Sequence, residues 1–176
     1  MTFRILITSK ESDDFVREVR IDADASFLAL RDVIAQACEY ENSQLTCFYV
    51  TPEGSASRVQ IALDEMPLGE NEDDAYIMEQ TTLRDFLTYK GQQFSYVFDT
   101  FNERKLHLKV VEMEPKACLK RPKITRAEGR APQELLVLGS SGAIAEGSSL
   151  MVDDDFGIEG FDQEDIDFGG FGISEE

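Results

Sequence analysis

The stretch Ser26-Phe-Leu-Ala-Leu-Arg-Asp-Val-Ile-Ala-Gln-Ala-Cys38 decides the fold. Phe27, Leu30, Val33, Ile34, Ala37 and Cys38 recur at spacings that lay them along one stripe of an α-helix. Ser26 stands where its hydroxyl can accept a first-turn amide, so the pattern predicts a helix over about 27–39. Upstream, Phe3, Ile5 and Ile7 alternate over residues 2–8, and Phe15, Val19 and Ile21 over 15–21. The polar run Lys10 to Asp14 between them makes the two an antiparallel hairpin. Downstream, residues 45–50 (Leu45, Cys47, Phe48, Val50) and 58–63 (Val59, Ile61, Leu63) read as strands around the turn Pro52-Glu-Gly54. Asp64 to Gln80 holds seven acids and no base and reads as an exposed loop. Thr82 to Leu87 reads as a capped helical turn closed by Lys90-Gly91. Two further strands follow, 93–99 with Phe94, Tyr96 and Phe98 on one face, and 104–112 with Leu106, Leu108 and Val110 on one face. This order predicts an α+β fold: a β-grasp-like mixed or antiparallel sheet with one principal helix and a short second helix.

The chain has 176 residues, 42% of them hydrophobic, and a net charge of −18. That length suits one domain with appendages. The charge is uneven: residues 131–176 hold 12 acids and no base, which leaves 23 acids against 17 bases upstream. Residues 1–138 are the expected α+β domain, and 139–176 an acidic aromatic tail. In that tail Phe156, Phe161, Phe168 and Phe171 are spaced among Asp, Glu and Gly. It has too few aliphatic groups and too much self-repulsion for a core of its own, so it is expected to be disordered or ordered by a partner. From Pro115 to Pro132 the composition turns to Lys, Arg and Pro and predicts irregular chain; residues 135–138 could add a short strand or turn.

These features exclude several classes. Neither half offers the general basic surface of a nucleic-acid or anionic-membrane binder. No apolar run approaches the roughly 20 residues of a membrane helix, and the N-terminus lacks a signal-peptide core. The three cysteines, Cys38, Cys47 and Cys118, are odd in number and widely spaced, which points to a reduced cytoplasmic setting. With no Cys-x-x-Cys pair and one histidine, no metal or cofactor is expected.

Three blocks carry a resemblance. They are the helix block from Ile21 to Phe48, the strand Phe94-Ser-Tyr96-Val-Phe98-Asp99 beside a Tyr-x-Tyr-Asp pattern, and Ala131-Pro132-Gln133-Glu134 beside an Ala-Pro-Pro-Glu pattern. In order and spacing they resemble the Ri-plasmid third-open-reading-frame-like proteins, also labelled mobile-element passenger proteins, over about residues 3–134. The resemblance implies a fold and a link to bacterial genomes, with no established activity. Its motif positions here are Tyr96, Asp99, Asn102, Pro132 and Glu134. The family strand continues Asp-Phe-Gly-Asp-x-Trp-x-His, whereas this chain reads Asp99-Thr-Phe-Asn102-Glu-Arg104-Lys-Leu106. Asn102 stands for the second acid, Arg104 and Leu106 replace Trp and His, and His107 falls one position late. On a strand that puts His107 on the opposite face and predicts a degraded patch.

Catalytic signatures are weak. His107 with Asp99 could form a base and its orienting acid, but a histidine alternating with Leu106 and Leu108 is the ordinary solvent-facing strand residue. Cys38 and Cys47 lie among apolar neighbours and read as core. Gly139-Ser-Ser-Gly142 lacks nucleophile-elbow spacing. Asp165, Asp167, Gly170 and Glu176 match some positions of a calcium loop, without an exiting helix.

The reading that remains is a non-enzymatic cytoplasmic bacterial interaction domain whose partner is a protein. Its expected contacts are the four tail phenylalanines and the basic Lys120, Arg121, Lys123 and Arg126 within residues 116–130, which could also receive the tail itself. The alternatives are a mobile-element nucleic-acid accessory protein using 116–130, and an enzyme with a site around Asp99 and His107.

Overall fold

The computed structural model describes residues 1–41, 45–64 and 75–135. Ten elements follow in chain order: β1 (Thr2–Ser9), β2 (Val16–Asp22), α1 (Phe27–Cys38), β3 (Cys47–Val50), β4 (Val59–Ala62), β5 (Ala75–Ile77), α2 (Leu83–Phe86), β6 (Gln93–Asp99), β7 (Arg104–Glu114) and β8 (Lys123–Glu128). The strands form one sheet in the order β5-β4-β3-β6-β7-β1-β2-β8. Every neighbouring pair is antiparallel except β4–β5, which is parallel.

Period-two alternation fixes which face of the sheet is buried. Phe3, Ile5 and Ile7 of β1 face Ile21, Val19 and Arg17 of β2 in register, and the five apolar members are fully buried. Phe94 and Tyr96 of β6 oppose Leu108 and Leu106 of β7 on the same face. The stripe of α1 closes over this face through Phe27, Leu30 and Ile34, all fully buried. Phe27 packs on Phe48 of β3 at 5.2 Å between ring centres and on Phe86 of α2 at 6.2 Å. Each such side chain contributes about 1.5–3 kcal/mol by leaving water.

The ends of α1 match the sequence. The Ser26 hydroxyl accepts from the Ala29 amide at 3.3 Å, and the helix stops at Glu39, whose φ of 60° turns the chain without glycine. The short α2 is tied to the start of α1, its Leu83 and Arg84 amides donating to the carbonyls of Ala25 and Ala23, both at 2.9 Å.

Two segments differ from expectation. The acidic run from Asp64 contains β5, which pairs with β4 and lays the Tyr76 ring on Phe86 at 4.8 Å. Met78, just beyond it, is fully buried. The Lys/Arg/Pro stretch is not wholly irregular: residues 123–128 form β8, paired with β2 at the sheet's outer edge. Backbone pairing holds this strand, since all six of its side chains are exposed and leave no apolar alternation to read.

Arg17 explains why β8 stays. It occupies an inward position of β2 and is buried, with its guanidinium over the Phe15 ring at 4.7 Å. Its Nε donates to the Ala37 carbonyl at 2.8 Å near the C-terminal end of α1, and its terminal nitrogens donate to the carbonyls of Val16, Glu128 and Gly129. One cation therefore satisfies carbonyls from three segments, where the helix dipole also favours positive charge. The next residue, Gly129, has φ of +65°, and a Cβ there would lie 2.1 Å from the Asp14 carbonyl oxygen. Glycine is required for that close approach.

Candidate functional site

Two of the family-motif residues, Asp99 and Asn102, stand at the β6–β7 turn. Asp99 ends β6 at a register shift that sets it opposite Arg104. Its carboxylate accepts from the Asn102 backbone amide at 3.1 Å and from Asn102 Nδ2 at 2.7 Å. Arg104 reaches across to the β1–β2 connection, where both oxygens of Glu11 accept from it at 2.6–3.2 Å. Its other terminal nitrogen is 3.8 Å from Asp99 and donates to the Glu134 carbonyl at 3.4 Å. The guanidinium lies over the Phe98 ring at 4.8 Å. Glu134 in turn accepts from the Glu41 amide at 2.7 Å through Oε2. The buried Pro132 and the half-buried Glu134 line a cleft of about 410 Å³ with Arg17, Cys38 and Tyr40. Tyr96 lies deeper, stacked with Phe48 at 4.8 Å under the helix. Asp99, Asn102 and Glu134 thus meet around Arg104, Pro132 adjoins them in the cleft, and Tyr96 is core.

The electrostatics of Asp99 and Arg104 describe a clasp. The Asn102 side-chain bond, reinforced by its amide and by Arg104, holds the Asp99 carboxyl below the usual carboxylate value. The Glu11 hydrogen bonds raise Arg104 further above neutrality. Both groups are therefore ionised at pH 7. Burial pushes the Tyr40 phenol upward and the Cys38 thiol up to about 12, so neither is a nucleophile near neutral pH. Cys47 is buried and raised in the same way.

His107 does not join this cluster. It pairs with Ser95 and Thr8 one position from the buried Leu106, so its side chain goes to the opposite face of the sheet from Asp99 and Arg104. The Asp99–His107 pairing considered from the sequence is not formed.

Among the expected partner contacts, Lys120 and Arg121 are exposed before β8, and Lys123 and Arg126 project from it. Arg126 forms a two-pronged pair with Glu128 at 2.7 and 2.8 Å, which offsets part of the basic character. The tail 139–176 with Phe156, Phe161, Phe168 and Phe171, and residues 136–138, lie outside the described residues.

The face of the sheet away from the helices carries residues that the sequence reading passed over: Tyr49, Arg58, Lys105 and Lys109 beside His107. A signal was present, because Lys105, His107 and Lys109 alternate with Leu106, Leu108 and Val110. The leucines and valine point into the core, so the three basic residues share the other face.

With this geometry in place, the comparisons carry weight. The family model described as plasmid pRiA4b ORF-3-like protein matches residues 1–140. The crystal structure of a protein of unknown function, MM3350 from Methanosarcina mazei Go1, is similar to this chain with a TM-score of 0.61 and 14% identity. That similarity spans 74% of this chain and 71% of the other, and it concerns the fold. None of the curated protein sequences matches the chain.

Proposed function

The chain belongs to the plasmid pRiA4b ORF-3-like family, and on that premise we propose that it is a non-enzymatic, cytoplasmic, bacterial interaction domain that binds a protein. The observation that carries the reading is β8: a strand with six exposed side chains, paired on one side with β2 and forming the sheet's outer edge. Such an edge accepts an added strand, with Lys120, Arg121, Lys123 and Arg126 selecting an acidic partner. The aromatic tail, through Phe156, Phe161, Phe168 and Phe171, is the second proposed contact. The clasped state of Asp99 and Arg104 supports the absence of acid–base catalysis. One principal helix across a mostly antiparallel sheet is what supports describing the fold as β-grasp-like.

The test compares full-length protein with two full-length variants in affinity capture from bacterial lysate, with and without nuclease. One variant has the four tail phenylalanines changed to Ser, the other has Lys120, Arg121 and Lys123 changed to Glu. Loss of a protein partner in either variant, unaffected by nuclease, supports the proposal. The nucleic-acid accessory reading expects recovery abolished by nuclease and falling steeply with salt, because released counterions drive phosphate contacts. That result would replace the protein-binding account.

A further inference from the structure

The helix-free face of the sheet holds a trough built from three strands and the residue that leads into β4. Tyr49 of β3 pairs in register with Ser95 of β6, and Ser95 with His107 of β7. Arg58, just before β4, stands over the Tyr49 ring at 5.2 Å. Two adjoining hollows of about 310 and 200 Å³ share Tyr49, Arg58, Ser95 and Lys105, and the second reaches His107. An aromatic ring and three cationic or protonatable groups thus line one shallow depression.

The basic groups there make no ion pair among the described residues. Arg4, Arg20, Arg31, Arg84, Arg104 and Arg126 each sit on a carboxylate. Among the described residues, Arg58, Lys105, His107 and Lys109 form no such pair. The groups facing His107 are Thr8 of β1 with Lys10 beyond it, Ser95 of β6, and Lys105 and Lys109 of its own strand; Tyr49 and Arg58 lie across the trough, and Glu103 lines its far end. Burial lowers the imidazole pKa, and Lys10 and Lys105 lower it further, which marks a local positive field in a protein of net charge −18.

We propose that this trough binds a small phosphate-bearing ligand of the nucleotide class, with phosphates on Arg58, Lys105 and His107 and the flat ring against Tyr49. Guanidinium and ammonium groups suit phosphate oxygens, and the larger hollow has the volume of a small-molecule site. Two fixed cations, Arg58 and Lys105, face the lining carboxylate of Glu103, and an imidazole that gains a proton against a bound anion adds a third charge, which matches a multiply charged phosphate. Size decides against a polymer. Away from the trough, basic residues of the same face are paired, Arg4 with Glu112 and Arg20 with Glu114. A compact anion stays within the positive region, whereas a nucleic-acid strand would run out of it onto paired charges that offer its further phosphates no free cation. The inference does not depend on the β8 reading.

His107 is the sole histidine, so one imidazole signal reports on the site. The experiment is an NMR pH titration of His107 in the full-length protein, alone and with ADP, with inorganic pyrophosphate, or with a short single-stranded DNA, at constant salt. A bound phosphate favours the imidazolium, so ADP raises the His107 midpoint by about one pH unit, saturably. ADP binds more tightly than pyrophosphate because only ADP has a ring for Tyr49. The Arg58→Ala/Lys105→Ala double variant, changed at two exposed positions, keeps its melting temperature and loses the shift. An unmoved midpoint with ADP, an equal shift in the double variant, equal binding of pyrophosphate, or tighter binding of the DNA would each overturn the proposal.

Discussion

Replacing Arg104 with alanine tests whether the family patch has become a structural clasp. The substitution removes the two-pronged bond to Glu11. A charge-assisted bond contributes about 1.5–3 kcal/mol when buried, but the Glu11 side chain is 38% exposed, so solvent reduces this to about 1 kcal/mol. Asp99, with its side chain 7% exposed, loses its cation and keeps its bonds to Asn102, which costs about another 1 kcal/mol. The guanidinium over Phe98 adds about 1 kcal/mol, since the Arg104 side chain is only 9% exposed. The sum, about 3 kcal/mol, corresponds to roughly 9 °C in melting temperature for a protein of this size. Urea unfolding followed by circular dichroism measures it, with an unchanged denaturant slope if the denatured state is unaffected. Arg104→Lys keeps the charge without the planar fork and should recover less than half of the loss. A double-mutant cycle with Glu11→Gln should return a coupling of about 1 kcal/mol. An Arg104→Ala protein as stable as the parent would refute the clasp, and would return this residue to consideration as a functional group kept at the expense of stability.

Three further outcomes follow from the same geometry. Asn102→Ala removes the main cause of the low Asp99 pKa; a depressed carboxyl stabilises the fold above its unfolded pKa of about 3.9 and stops doing so as pH falls through the folded value. The stability deficit of that variant, about 1 kcal/mol at pH 7, should therefore shrink below pH 4, as urea midpoints across pH 7 to 2 will show. Gly129→Ala puts a Cβ 2.1 Å from the Asp14 oxygen and should cost about 3 kcal/mol, the upper range for overpacking, with amide exchange accelerating first along β8 and its β2 partner. Alkylation of the native protein near pH 8, read by mass spectrometry, should label exposed Cys118 alone, leaving buried Cys38, with its thiol pKa near 12, and Cys47 to react only on unfolding.

Much of the fold was legible because its signals are local. The 27–38 helix, the β1–β2 hairpin and the alternating strands β6 and β7 each bury a face whose period repeats within a few residues. The two missed strands have no such face. In β8, Lys123-Ile-Thr-Arg-Ala-Glu128 exposes every side chain, so only the pairing with β2 and the Arg17 bonds distinguish it from loop. The strand β5 is three residues in an acidic run, defined by a parallel partner. Arg17 itself interrupts an apolar alternation, and only the approach of α1 and β8 shows that its charge belongs inside.

The candidate sites divide in the same way. The motif positions Asp99, Asn102, Pro132 and Glu134 were readable from the family pattern, and the basic alternation of β7 was present in the letters. What they meet was not readable. Glu11 and Arg104 are 93 positions apart, as are Glu41 and Glu134, and Tyr49 receives Arg58 beside Lys105 from a different strand. By itself the sequence determined which residues alternate, which helix covers the sheet and which groups are charged, because side-chain direction follows from backbone period. Tertiary structure alone decided which charges neutralise one another and which stay unpaired, because that depends on distances set by strand order, for which no local period exists.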